Sequence, residues 1–240
     1  KTNQKIKDLL SPGHINNDTQ LVLTNAVYFM SNWALTFSKR ATRDLPFTLI
    51  DGTKMNCPQM FQQAHLSYLD TKDFHGISLP YKGHGMEMIL FLPKKLAGLQ
   101  ALENKLSTSN LNMWINQFKH QEVQVTLPRF RFSYGDSMVN SLKRMGVKKA
   151  FSAEKADFSG MTKKKELFFS EVIHKAFVAV DEEGTEAAAA TAVVMTVGAS
   201  PLMAKPEPKI FKADHPFLFI IRHKKTGAIL FMGRLMDPKE

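Results

Sequence analysis

The sequence predicts an α+β fold in which strands outnumber helices. Residues 21–29, 86–92, 122–126, 167–173 and 217–223 read as strands, from partial alternation or from short apolar runs. Residues 99–106, 111–118 and 137–145 carry helix-like apolar spacing. The two kinds are interspersed without regular alternation, which argues against a doubly wound parallel sheet.

In chain order, residues 1–10 read as the amphipathic tail of a helix. Asn17-Asp18-Thr19 fits an N-glycosylation sequon, a tripeptide that also occurs often by chance. Residues 21–29 follow as a strand. Met55-Asn56-Cys57-Pro58 reads as an extended segment with a structural thiol, because a reactive one wants an adjacent cation. Cys57 is the only cysteine, so the chain can form no disulfide within itself. His84, between Gly83 and Gly85, reads as a turn residue. Near the end, residues 229–233 pair back on 217–223 across Lys224-Lys225-Thr226-Gly227, a hairpin signal.

A length of 240 residues permits one domain or a pair, and 44% apolar residues suits a packed core. No linker, internal repeat or membrane-length apolar run interrupts the chain, and its first residues lack the apolar stretch of a signal peptide. The formal charge of +10 gathers at Lys143, Arg144, Lys148 and Lys149, which fall at helical spacings, and at Lys163-Lys164-Lys165. Such a surface attracts a polyanion or is simply solvated. Aromatic residues do not interleave it in the way single-strand binders require. Enzyme signatures are missing too: there is no Gly-x-Ser-x-Gly elbow, no His-Glu-x-x-His helix and no phosphate-binding glycine loop. The sequence therefore implies no catalytic residues, no metal and no cofactor.

The most informative stretch is residues 180–194, VDEEGTEAAAATAVV. As a helix it is a short polyalanine rod on a tether, since Ala is the best helix former. As a strand, Thr185, Ala187, Ala189, Thr191, Val193 and Met195 line one face, small and then apolar, with Glu186 opposite. Such a face could slip between existing strands. Both readings stand on the residues alone.

Other blocks point further. Asn25-Ala26-Val27-Tyr28-Phe29 with Asn32-Trp33, Leu127-Pro128-Arg129-Phe130, and residues 146–151 with Ala156-Asp157-Phe158-Ser159-Gly160 fall in one order with residues 181–194. His174-Lys175-Ala176 and His215-Pro216-Phe217 through Gly233-Arg234 continue it. Together they resemble the serpins, inhibitors that trap proteases by inserting a cleaved loop into a sheet, over essentially the whole chain. Residues 211–235 look closest to the intracellular, ovalbumin-like type.

The resemblance implies a serpin fold: a mixed or antiparallel central sheet, smaller sheets and helices. It implies a single domain over residues 1–240 with an exposed reactive loop at about 182–210. It also implies a longer, monomeric parent, with this chain as its carboxy-terminal two-thirds and the N-terminal helices and strands missing. Glu182, Glu183, Gly184, Thr185, Glu186 and Ala187, Ala188, Ala189, Ala190 match the loop hinge. Gly184 is expected to supply backbone freedom where the loop folds back. Asn25 and His174 match a shutter pair behind the opening sheet, and Trp33 matches the tryptophan of the breach where insertion begins. Arg129 matches the base that holds Glu182, in a pairing that an Arg fork can make bidentate. Family spacing places the scissile bond at Gly198–Ala199. Small residues there point to an elastase-like serine protease, with Val197 taken if the register slips by one, or to a papain-like cysteine protease reading Val197. A non-inhibitory serpin, acting as a binding or structural protein, is the alternative. Extracellular and cytoplasmic locations both stay open.

Overall fold

The structure, a computed structural model, describes residues 4–6, 9–163, 165–185 and 206–239. Its strands in chain order are β1 (Leu21–Tyr28), β2 (Ser31–Asn32), β3 (Arg43–Thr48), β4 (Lys54–Asp70), β5 (Phe74–Pro80) and β6 (Met86–Pro93). Helices α1 (Leu99–Lys105) and α2 (Thr108–Asn116) separate these from β7 (Lys119–Pro128) and β8 (Phe130–Ser137). Helices α3 (Val139–Arg144) and α4 (Ser159–Thr162) precede β9 (Phe169–Val180) and β10 (Gly184–Thr185). The chain ends in β11 (Lys209–Lys212), β12 (Phe217–His223) and β13 (Ile229–Leu235).

Two compact units contain these elements: residues 1–29 with 132–178, and residues 30–131 with 179–240. In the first unit β1 runs parallel to β9, with Asn25 opposite His174, and β8 also pairs with β9. Phe151 and Phe158 both pack on Phe169, centroids 6.0 and 5.0 Å away, which seats the connection between α3 and β9.

In the second unit an eight-stranded sheet has the order β11-β7-β4-β5-β6-β12-β13, with β3 added alongside β4. Strand β4 is 17 residues long. Residues 54–59 of it pair with β3, residues 67–70 with β5, and β7 follows it along residues 59–68. The apolar stripes of α1 and α2 close one face of this sheet. Leu99, Leu102, Leu111 and Trp114 pack on Leu69, Phe74, Ile89, Phe91, Leu218 and Ile220. Trp114 meets Phe74 and Phe91 edge-on at 5.0 and 5.5 Å, the arrangement ring quadrupoles favour. Ser107 caps α2 by accepting the Asn110 amide at 3.2 Å.

Several expectations need correction. Residues 4–6, 9 and 10 hold no helix: Ile6, Leu9 and Leu10 are only half-buried, and so short an amphipathic segment is not helical without packing. The four cations of residues 143–149 do not share a helix. Helix α3 stops at Arg144, and Gly146 turns the backbone to φ +98°, where only glycine is at ease. Cys57 lies on β4 as expected, buried, and burial pushes its thiol up. His84 sits in a turn with φ 56°.

Candidate functional site

The stretch 181–185, which includes the described part of the expected hinge, begins as soon as β9 ends, and its backbone is engaged in the second unit. The Asp181 carboxylate accepts the Glu183 amide at 2.9 Å and the Gly184 amide at 3.1 Å, and the Asp181 amide donates to the Gly184 carbonyl at 2.9 Å. This closed turn sends the chain back on itself, so that Thr185 pairs antiparallel with Val180. Gly184 and Thr185 pair on their other side with Asn32 and Ser31.

Glycine is required at 184 for closeness rather than for backbone freedom. A Cβ there would lie 2.2 Å from the Ser31 carbonyl oxygen and 2.6 Å from the Asn32 Cα. Its φ is not positive, so the expectation that it serves as a flexible fold-back point gives way to one of tight backbone contact.

Trp33 frames this turn. Its amide donates to the Glu183 carbonyl at 2.8 Å, and its indole Nε1 donates to the Asp181 carbonyl at 2.9 Å. The ring stacks on Tyr81 with centroids 4.6 Å apart and presents an edge contact to Phe37. On the far side of the turn, the Tyr81 hydroxyl meets the Thr185 hydroxyl at 2.6 Å. Thr185 is wholly buried, as is Tyr81, whose phenol burial pushes up.

Glu182 is the charged centre of the site. Arg129 places Nε at 2.9 Å and Nη2 at 2.5 Å on the same oxygen, Oε1, and the Thr42 hydroxyl donates to that oxygen too. The fork therefore converges on one atom instead of bridging both oxygens. Burial alone would push the Glu182 carboxyl up, but the Arg129 and Thr42 hydrogen bonds outweigh it and hold it below the usual carboxylate range. Lys39 pairs with the neighbouring Glu183 at 2.5 Å.

The stretch expected to be exposed from about residue 182 thus starts buried, because Glu182, Gly184 and Thr185 each have a partner that excludes water. In the first unit, Asn25 and His174 are register neighbours across parallel strands, so their side chains share a face. Glu186, Ala187, Ala188, Ala189, Ala190, Gly198 and Ala199 lie outside the described residues. Thr42, Tyr81, Phe37 and Lys39 were not anticipated. Thr42 stands 140 positions from Glu182, and nothing local in a threonine or tyrosine announces so distant a partner.

The profile of the family described as Serpin (serine protease inhibitor) matches residues 1–238. The chain belongs to the serpin family. An uncharacterized serpin-like protein of Thermococcus kodakarensis is 42% identical over the whole chain, which covers 54% of that protein. The leukocyte elastase inhibitor of Homo sapiens is 40% identical, with 99% of this chain and 64% of that one aligned. Among solved serpin structures, native protease nexin-1 with heparin superposes with a TM-score of 0.86 at 33% identity, covering 99% of this chain and 63% of that one. Uncleaved ovalbumin superposes with a TM-score of 0.84 at 28% identity, covering 99% and 60%. The chain spans between about half and two thirds of the length of these serpins. The β-rich α+β architecture is that of the serpin fold, with ovalbumin-type serpins among the relatives. No helix among the described residues is long and apolar enough to cross a membrane.

Proposed function

We propose that this chain carries the bait, the hinge and the receiving strands of a protease inhibitor that acts as a suicide substrate. A protease attacks at or near Gly198–Ala199 and forms an acyl-enzyme. The freed segment then enters the sheet as a new strand, a known serpin transition, before water can release the protease. Serpin residues supply bait and a receiving slot, and the chemistry belongs to the protease.

The observation that carries this reading is the antiparallel pairing of Thr185 with Val180. If insertion continued that register by twos, Ala187 would come opposite Val178, Ala189 opposite Ala176, Thr191 opposite His174 and Val193 opposite Val172. Val172, Val178 and Val180 are buried. The small, uncharged face of the segment would therefore be the one that meets the covered face of β9. A charge there would cost several kcal/mol. Entry would part the parallel β1–β9 ladder between Asn25 and His174 and replace it with antiparallel pairing, which is somewhat more stable per residue. The Arg129–Glu182 pair and the Trp33 contacts would hold the start of the segment in place throughout.

The resemblance to the leukocyte elastase inhibitor and the small residues at 197–199 favour an elastase-like serine protease, with a papain-like cysteine protease as the competing target. The exposed cations Lys143, Arg144, Lys148 and Lys149 are available to a polyanion. The test is to incubate the full-length protein with one protease of each kind and look for a covalent complex that survives denaturant. Clean cleavage of the segment without any complex would assign the non-inhibitory reading instead.

A further inference from the structure

A cavity of 540 Å³ opens in the second unit between the start of β5, the end of β6 and strand β11. It is unrelated to the hinge. Ile210 presents its apolar side chain to it over a floor that includes buried Leu92 and Pro93, and His75, Lys94, Lys212 and His215 bring polar groups to it. Ile210 and Lys212 are two apart on β11 and share its cavity side, while Phe211 between them is fully buried. Ile210 is 65% exposed, a large apolar side chain left in water beside ammonium groups.

Each polar wall is braced from behind. Lys94 lies 2.7 Å from Asp70, and Lys212 lies 3.1 Å from Asp214. The His75 Nδ1 sits 2.7 Å from the Tyr68 hydroxyl and 3.2 Å from Asp70. His215 is held between Asp214 at 2.9 Å and the Pro93 carbonyl at 2.7 Å. A lysine ammonium has three donors, so each lysine can keep its aspartate and take a further acceptor. Lys209 also acts on Asp70, which leaves three lysines against two aspartates around the opening.

We propose that this groove binds a small amphipathic carboxylate, with its hydrocarbon chain against Leu92, Pro93 and Ile210 and its carboxylate between Lys94 and Lys212. The volume falls in the range of small-molecule sites, which combine an apolar wall with a few fixed polar groups. The apolar wall selects a chain over a bare anion, and the lysines select a carboxylate over an alcohol. Proximity of β11 to the proposed bait segment is not needed for this site, so its failure and the failure of inhibition are separate results.

Decanoate is the probe, with acetate and decanol as controls, titrated into the full-length protein while the histidine ring resonances are followed by proton–carbon NMR. His75 and His215 should shift saturably with decanoate while His65 and His120 stay still. Acetate and decanol should each bind at least about tenfold more weakly. The Lys94→Ala/Lys212→Ala double variant should weaken decanoate about tenfold, two exposed ion contacts being worth little more than that together. Ile210→Ser should weaken it several-fold with the fold intact by circular dichroism. Equal binding of acetate, equal binding of decanol, or decanoate binding unchanged in both variants would overturn the proposal, as would shifts spread over every histidine.

Discussion

The hydroxyls of Thr185 and Tyr81 lie 2.6 Å apart, both residues buried, at the point where the hinge turns back on the end of β9. One hydroxyl must donate and the other accept, so the pair forms a hydrogen bond in a place closed to water. Tyr81 in turn stacks on Trp33, whose indole holds the carbonyl of Asp181. The start of the hinge is thus fixed by a chain of three side chains from separate segments. An inhibitor of the kind proposed needs that rigidity at the hinge, because an inserting strand keeps its register only if its first residue is already seated.

Thr185→Val keeps the shape of the side chain and removes the hydroxyl that meets Tyr81. The expected loss is about 1–3 kcal/mol in denaturant unfolding. Tyr81→Phe should cost a similar amount. The double variant should cost clearly less than the sum, because the hydrogen bond the two share can be lost only once. Additive losses would mean that the two hydroxyls do not depend on each other.

Thr185→Arg is a different test. The position is buried before any cleavage, so the substitution should lower stability as well as slow insertion. In the full-length protein the ratio of cleaved product to covalent complex should rise severalfold or more, since an unpaired charge would have to enter the sheet. An unchanged ratio in a folded variant would show that Thr185 does not lie on the inserting face.

Glu182 makes the hinge sensitive to acid. Its folded value lies below the ordinary carboxylate value, since Arg129 and Thr42 outweigh burial. The carboxylate therefore contributes stability in full above its unfolded value, near 4.3, and loses it as pH falls through the lower folded value. Arg129→Met removes the cation from the Glu182 carboxylate, whose side chain is 2% exposed and keeps the Thr42 hydroxyl, and should cost about 3 kcal/mol at pH 7, the low end for a broken buried pair because Arg129 itself is 43% exposed. The penalty should shrink toward pH 3, once Glu182 of the variant takes up a proton. A penalty that is the same at pH 7 and pH 3 would show that charge pairing is not what Arg129 supplies.

Gly184→Ala should destabilise by about 1–3 kcal/mol or more, since backbone atoms at 2.2 and 2.6 Å cannot move aside as a side chain could. A thermal melt against the parent reads this directly. Gly160→Ala, where an added Cβ meets nothing within 4 Å, is the matched control and should be nearly neutral.

What the sequence made legible follows the physics of each element. Strands β6 and β12 and helices α1 and α2 were readable because their burial follows a local apolar pattern. Strand β4 was not: exposed Asn56, Gln63 and His65 interrupt its apolar pattern, and Pro58 breaks the strand signal. Proline is tolerated there, and its carbonyl accepts the Arg129 amide at 2.9 Å. The hinge residues 182–185 stood out through composition and family resemblance, whereas Thr42 and Tyr81 belong to the site only through folding. A pairing across 140 or 104 positions leaves no trace in either neighbourhood. At Gly184, a one-dimensional reading cannot tell a glycine needed for its φ from one needed for its lack of a Cβ.

The bait is the last prediction. Family spacing from Glu182 places cleavage between Gly198 and Ala199, within Met195-Thr196-Val197-Gly198-Ala199-Ser200. A trypsin-like pocket wants a cation to meet its carboxylate, and the cation nearest this bond is Lys205, between Ala204 and Pro206. A shallow, elastase-type pocket would instead accept Gly198, or Val197 with a shift of one residue. Proline after Lys205 further disfavours cleavage there, because a fixed φ and a missing amide suit few protease clefts. Mass spectrometry of the full-length protein after brief exposure to an elastase-like protease should find a new terminus within residues 197–200. Val197→Arg, which puts a cation one residue before the expected position, should slow elastase and admit a trypsin-like enzyme at the new arginine. A primary cut at Lys205, or anywhere outside residues 196–200, would refute the assignment and move the proposed bait downstream.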